Sequence, residues 1–115
     1  MYGNHFKFTE LIHTDLPESN YPSTPEQLQN LSALWDELNQ LRDKLNHPIY
    51  INSAFRTESI NKQVCGAKRS LHMKGRSADI RTHPFYMEEL WQLLEENKHN
   101  YSELIKYSTF YHNEI

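Results

Sequence analysis

Residues 70–79 read Ser-Leu-His-Met-Lys-Gly-Arg-Ser-Ala-Asp, and this segment is the most informative part of the chain. It places the imidazole of His72 and the carboxylate of Asp79 seven positions apart, with Gly75 between them. Such a spacing can deliver two ligands to one metal ion, one from a loop and one from the strand that follows. Zinc binds His nitrogen and Asp oxygen, and a catalytic zinc site needs three protein ligands. The best candidate for the third ligand is His112, in an aromatic, strand-like C-terminal segment.

Each candidate residue also has a simpler interpretation. The chain has seven histidines, and a single histidine in a small domain is more often exposed or structural than a metal ligand. Asp79 could be a turn or capping residue, although its apolar neighbours place the carboxylate inside a strand where an unpaired charge is costly. Arg56 is either a solvated cation or a residue that binds a substrate carboxylate with two hydrogen bonds. Ser70 either contacts substrate or only orders the loop backbone.

The composition restricts the class of protein. A length of 115 residues fits one domain, 1–115, with a modest core. The formal net charge is −3 and the basic residues are scattered among acidic ones, so nucleic acid is not an expected partner. The composition instead favours a polar, uncharged or cationic substrate. The single cysteine, Cys65, rules out an internal disulfide, and without a Cys-x-x-Cys pair any metal would be bound by His and carboxylates.

Local sequence signals predict an α+β fold with a small antiparallel sheet packed with helices. Thr24, Pro25 and Gln27 form a helix start, and leucines at helical spacing continue this helix until Pro48 stops it. A polar arm without regular structure is expected before it, over 14–23. Shorter helices are predicted from a Thr9 cap to Ile12, over 56–64 and over 84–97. Strands are predicted over 49–53 and 78–81, and a terminal hairpin over 103–107 and 110–115.

The hairpin supplies two candidates for a catalytic carboxylate. If it turns symmetrically about residues 108–109, Ile105 pairs with His112 and Glu103 pairs with Glu114. Residues two apart on a strand share a face, so Glu114 should lie on the same side as His112. Both glutamates would then face the metal side. Glu114 is favoured because its relation to His112 does not depend on the turn.

Several motifs taken together resemble a known family. They are Ser53-Ala54-Phe55-Arg56, then Asn61 and Val64-Cys65-Gly66-Ala67, then Ser70-x-His72-x-x-Gly75-x-x-x-Asp79, and a late aromatic-x-His that ends at His112. This combination resembles the zinc D,D-peptidase family of the hedgehog/D-Ala-D-Ala peptidase fold, and it is most similar to the small phage and bacterial branch. The resemblance extends from the short Thr9 helix to His112.

The resemblance implies a peptidoglycan hydrolase that cleaves stem peptides as a D,D- or L,D-carboxypeptidase or endopeptidase. It implies one Zn²⁺ bound by His72, Asp79 and His112. The small size, with no apolar run typical of a signal peptide or a membrane span, suits a monomeric phage lysin. Such a protein is made in the cytoplasm, does not insert into the membrane, and acts on the cell wall or in the periplasm once released.

Two positions differ from the family pattern. Cys65 stands where this branch often has Gly-Gly, and Thr109 stands three residues before His112, where larger relatives have the Glu of a Glu-x-x-His element. The missing glutamate supports an alternative, a catalytically silent zinc-binding or peptidoglycan-binding module. A purely structural phage component without metal is a third hypothesis, and it would make the spacing of the candidate ligands a coincidence.

Overall fold

The computed structural model describes residues 4–115, and within them it confirms the predicted α+β class. The helices are α1 (Phe8–Leu11), α2 (Pro25–Leu45), α3 (Glu58–Gln63) and α4 (Met87–Glu96). The strands are β1 (Ile49–Ser53), β2 (Ser77–Thr82), β3 (Glu103–Lys106) and β4 (Tyr111–Glu114). Short 3-10 turns cover Leu71–Lys74, Pro84–Tyr86 and Lys98–Asn100.

The four strands form one antiparallel sheet in the order β1-β2-β4-β3. In the terminal hairpin, Ile105 lies opposite His112 and Glu103 lies opposite Glu114, so the predicted register is confirmed. The pairing of β2 with β4 places Asp79 opposite His112. A single row of residues therefore crosses all four strands, and it consists of Ser53, Asp79, His112 and Ile105.

The other face of the sheet carries the hydrophobic core. Ala78 and Ile80 flank Asp79 on β2 and are completely buried. They belong to the same core cluster as the leucines of α2 and α4. Because successive side chains of a strand point to opposite faces, the core and the row that contains Asp79 occupy opposite sides of the sheet.

Helix α2 has the start and the end that the sequence predicts. The hydroxyl of Thr24 accepts the N–H of Gln27 at 3.1 Å, and the side chain of Gln27 accepts the N–H of Thr24 at 3.1 Å. The helix ends at Asn46, whose φ of 57° is left-handed, before Pro48. Within residues 4–115, no helix combines the length and the apolar character needed to cross a membrane.

The start of α1 differs from the prediction. The helix begins at Phe8, so Thr9 lies inside it and Lys7 occupies the N-cap position. The side chain of Glu10 reaches back and accepts the N–H of Lys7 at 3.2 Å. A threonine cap is therefore not needed at this helix start, because a carboxylate in the first turn satisfies a free backbone donor instead.

Two other helix boundaries also move. The segment predicted over 56–64 is helical only from Glu58, because the hydroxyl of Thr57 accepts the N–H of Ile60 at 3.3 Å and acts as the cap. Arg56 therefore lies in the connection before the helix. The segment predicted over 84–97 begins as a 3-10 turn and becomes α-helical at Met87. The polar arm over 14–23 contains no helix or strand, as predicted.

The N-terminal part of α2 holds the 3-10 turn that carries His72. Gln27 donates its side-chain amide to the carbonyl of Met73 at 3.1 Å, and Asn30 donates to the carbonyl of Lys74 at 2.9 Å. The chain then leaves the turn through Gly75, whose φ is +76°. A Cβ atom at this position would lie 2.9 Å from the carbonyl oxygen of Gln27. Both the backbone conformation and the close approach of α2 therefore require glycine here.

We predict that Gly75→Ala lowers the free energy of unfolding by roughly 2–5 kcal/mol, since a left-handed conformation costs an L-residue about 1–2 kcal/mol and overpacking adds about 1–3 kcal/mol. Urea denaturation of the metal-free protein measures the change. Lys74→Ala, which alters an exposed neighbour in the same turn, serves as the control and should stay within about 0.5 kcal/mol of wild type. Equal stability of Gly75→Ala and wild type would contradict the required close approach.

Candidate metal centre

Three predicted ligands from separate elements converge on one face of the sheet. His72 comes from the first 3-10 turn, Asp79 from β2 and His112 from β4, and one potential ligand atom of each lies within 4.8 Å of the others. One oxygen of Asp79 lies 3.4 Å from Nε2 of His72. The other oxygen lies 2.7 Å from Nδ1 of His112. The carboxylate is therefore shared between the two imidazoles.

The orientation of His72 is determined by backbone contacts. Its Nδ1 donates to the carbonyl of Ala54 at 2.6 Å, and a carbonyl can only accept. Nδ1 therefore carries a hydrogen, and Nε2 is the ring nitrogen that faces Asp79. The hydroxyl of Ser70 accepts the N–H of His72 at 3.2 Å, and the N–H of Arg56 donates to the carbonyl of His72 at 3.0 Å. These bonds hold the ring in a buried position.

The electrostatics of the cluster favour an ionised Asp79. Burial raises the pKa of this carboxyl, but hydrogen bonds from His112 and His72 lower it by more, so the pKa lies below its ordinary value. Burial lowers the pKa of His112, whereas its contacts with Asp79 and Glu114 raise it, and the net shift is upward. The carboxylate is thus in the form that binds metal, while a metal would have to displace a proton from His112.

The donor set fits a zinc ion. Two imidazoles and one carboxylate are typical of catalytic zinc sites, in which three protein ligands leave a position for water or substrate. The side chain of Asp79 is only 12% exposed, and a cation would compensate for the cost of burying its charge. The second nitrogen of His72 is hydrogen-bonded to a carbonyl, as is usual for metal-binding histidines.

Arg56 lies beside this cluster and is held by three acceptors. Its Nε donates to the hydroxyl of Ser53 at 3.0 Å, one terminal nitrogen donates to Asn61 at 3.1 Å, and the other lies 3.5 Å from Asp79. Burial lowers the pKa of Arg56, and the charge of Asp79 opposes that shift. The guanidinium is thus positioned by α3 and β1 at the edge of the cluster, with 16% of the side chain exposed.

The sequence did not predict two of the contacts that support the site. Asn61, which accepts from Arg56, also donates to the carbonyl of Ala67 at 2.9 Å. A Cβ atom at Gly66 would lie 2.1 Å from Oδ1 of Asn61, so this loop can close over the asparagine only with glycine. Asn61 belonged to the motif pattern, but its partner could not be read from it. The carbonyl of Ala54 has no sequence signal, because every residue has a backbone carbonyl.

A cleft of about 510 Å³ opens beside the cluster. The loop over 64–71 borders one part of it and the β3–β4 hairpin another, and the lining includes the three candidate ligands, Arg56 and Ser70. The stacked rings of Tyr107 and Phe110, with centroids 4.7 Å apart, border it near the hairpin turn. The cluster is therefore accessible to a ligand of peptide size.

Both predicted catalytic carboxylates line the same cleft. Glu114 lies on the face of His112, and its Oε1 is 2.8 Å from Nε2 of His112. Glu103 lies directly opposite Glu114 on β3 and is exposed. The structure thus brings both glutamates to the side of the sheet that carries the three candidate ligands.

Comparison with known proteins agrees with this geometry. The family model described as Peptidase M15 matches residues 4–114, which is almost the whole chain. A search of curated proteins finds no match to the chain. The matched region includes every element that contributes to the cluster and the cleft. The chain therefore belongs to the peptidase M15 family, a family of zinc peptidases.

Proposed function

We propose that this protein is a zinc-dependent peptidase that cleaves stem peptides of peptidoglycan, as a D,D- or L,D-carboxypeptidase or endopeptidase. The observation that carries the proposal is the convergence of His72, Asp79 and His112 beside an open cleft in a chain of the M15 family. A catalytic metal site needs both this ligand set and access for substrate.

In this proposal, His72, Asp79 and His112 hold the zinc ion. The hydrogen bond from His72 to Ala54 directs Nε2 toward the cluster, and the low pKa of Asp79 keeps its carboxylate ionised at neutral pH. When bound, zinc supplies a Lewis acid and lowers the pKa of a water molecule. The apolar residues beneath β2 keep Asp79 on a rigid strand, and rigid supports preserve ligand geometry better than loops do.

The proton acceptor is proposed to come from the two carboxylates of the hairpin, Glu114 and Glu103. Both lie on the same side of the sheet as the three ligands and both line the cleft. A general base must reach the proton that it accepts, directly or through one water. In larger relatives the glutamate of the Glu-x-x-His element stands where this chain has Thr109. We propose that Glu114 and Glu103 together replace that glutamate as the source of the proton acceptor.

Arg56 and Ser70 are proposed to bind substrate. The guanidinium of Arg56 has a fixed planar orientation and borders the cleft, so it can bind a peptide carboxylate with two hydrogen bonds. The hydroxyl of Ser70 accepts the N–H of His72, which leaves its own hydrogen available for a substrate carbonyl. Such contacts would position the peptide relative to the metal.

The biological setting follows from the proposed substrate. Peptidoglycan lies outside the cytoplasmic membrane, so the protein would act on the cell wall or in the periplasm after release from the cytoplasm. A phage lysin that acts as a monomer fits this setting. Fractionation of infected or induced cells, followed by detection of the protein in the wall fraction, tests it.

We predict that the purified protein holds about one zinc ion per chain and that His72→Ala or Asp79→Ala loses it, because two remaining ligands bind zinc too weakly. Elemental analysis after dialysis measures the metal. His99→Ala removes an exposed histidine outside the cluster and should retain the full zinc content. Chelation should also lower the melting temperature of the wild type, since the ion binds the folded state. Zinc content unchanged in His72→Ala would refute the ligand assignment.

We predict that the zinc-loaded protein releases defined fragments from synthetic stem peptides or purified sacculi, and that His72→Ala does not. Peptides that contain D-Ala-D-Ala, L,D and cross-linked bonds distinguish the specificities, and mass spectrometry identifies the bond that is cut. Zinc binding with retention on sacculi but without cleavage would instead support the silent binding module. Absence of both zinc and cleavage would support the structural component.

We predict that Arg56→Lys keeps zinc but loses about tenfold to a hundredfold in kcat/KM on free stem peptides, because a lysine cannot form the two-pronged contact with a carboxylate, and a charged hydrogen bond contributes about 1.5–3 kcal/mol. Steady-state kinetics with parallel zinc analysis measures both effects. Arg69→Lys, at an exposed arginine of the same cleft, is the matched control. Unchanged kinetics in Arg56→Lys would indicate that the residue does not bind a substrate carboxylate.

A further inference from the structure

The two ring nitrogens of His112 have different surroundings. Nδ1 lies 2.7 Å from Asp79, whose other oxygen is 3.4 Å from Nε2 of His72. Nδ1 is therefore the nitrogen that faces the cluster. Nε2 lies 2.8 Å from Oε1 of Glu114. Asp79 and Glu114 are both carboxylates, which only accept hydrogen bonds when ionised. If a metal binds Nδ1, the remaining ring hydrogen is on Nε2, and this N–H donates a hydrogen bond to Glu114.

His72 shows the same arrangement with its nitrogens exchanged. Its Nε2 faces Asp79, and its Nδ1 donates to the carbonyl of Ala54. Each histidine thus directs one nitrogen toward the cluster and has the other held by an oxygen acceptor. In metal sites such outer acceptors fix the orientation of the ligand and increase its basicity.

We infer that Glu114 is the positioning residue of His112 and that Glu103 remains as the proton acceptor. The inference rests on the proposed zinc peptidase function and separates the roles of its two candidate carboxylates. A catalytic base accepts a proton and returns it in every turnover. If Glu114 were that base, its hydrogen bond to His112 would change each time. The 2.8 Å contact between Oε1 of Glu114 and Nε2 of His112 therefore suits a positioning role better than proton transfer.

Glu103 has the freedom that the second role requires. It lies opposite Glu114 and lines the cleft. Its side chain is exposed and forms no hydrogen bond or ion pair with the residues described by the structure. It can therefore reach a water or a substrate atom without breaking a contact that supports the metal site.

The test compares zinc affinity and turnover in Glu114→Ala, Glu114→Gln and Glu103→Gln. Competition with a chelator measures the affinity, and the visible spectrum of the cobalt-substituted protein reports the ligand geometry. We expect Glu114→Ala to bind zinc about 10-fold to 100-fold more weakly, as is typical when the partner of a ligand is removed. Glu114→Gln should retain part of the affinity, because its amide oxygen can still accept from Nε2. Glu103→Gln should keep the affinity and the spectrum while kcat falls.

Ser77→Ala is the matched control. Ser77 lies opposite Glu114 on the same face, and its buried hydroxyl has no hydrogen-bond partner among residues 4–115. Zinc affinity and turnover should therefore stay close to wild type. Thermal unfolding of each metal-free variant shows whether the fold is retained, and the near-isosteric Glu114→Gln keeps the comparison valid if Glu114→Ala does not fold.

Two outcomes would overturn the inference. Unchanged zinc affinity and cobalt spectrum in both Glu114 variants would remove the positioning role. Loss of turnover in Glu114→Gln at full zinc affinity, with an active Glu103→Gln, would make Glu114 the proton acceptor. A wild type that binds zinc but cleaves none of the peptides would contradict the proposed function, whereas weaker zinc binding in Glu114→Ala would still support the positioning role.

Discussion

The buried carboxylate of Asp79 is the constraint on which the site depends. It lies in the middle of a strand whose neighbouring residues, Ala78 and Ile80, are completely buried in the core. A charge in such a position is stable only when it is paired. The pairing groups come from separate parts of the chain, namely Arg56 before α3, His72 in the 3-10 turn and His112 on β4. The position of each of these elements is therefore coupled to one carboxylate.

The sheet separates this polar cluster from the apolar core by the simple alternation of side chains. Residues that point to one face of β2 and β4 pack with the leucines of α2 and α4, and residues one position away form the row that contains Asp79 and His112. A shift of one residue in register would exchange the two sets. Burial of the core face consequently determines the alignment of the candidate ligands.

Arg56 links the cluster of candidate metal ligands to the cleft. Its contacts with Ser53 and Asn61 hold the guanidinium in one orientation, and its contact with Asp79 offsets part of the buried negative charge. The close fit of Gly66 over Asn61 ties the cleft loop to the same arrangement. Arg56 therefore both pairs with the charge of Asp79 and borders the cleft. A substitution at Arg56 would affect the surroundings of Asp79 as well as the cleft.

The sequence by itself determined the features that depend on neighbouring residues. The capping box and proline of α2, the strand over 49–53 and the hairpin register follow from signals within a few positions of one another. The motif over 70–79 together with His112 predicted which three candidate ligands converge. Lys7 in place of Thr9 at the start of α1, and the 3-10 turn that carries His72, were not predicted, because there the local signals were weak or ambiguous.

Only the tertiary structure decided how the candidate ligands are oriented. His72 donates to the carbonyl of Ala54, which is 18 residues away in the sequence. The two carboxylates that contact His112 lie on different strands: Asp79 is 33 residues away and Glu114 is two residues away. The sequence favoured Glu114 as the catalytic carboxylate because it shares a face with His112, but it could not show which ring nitrogen faces the cluster. The orientation of a side chain depends on packing between segments that are distant in the sequence. The two-residue alternation of a strand predicts only which face of the sheet a residue occupies.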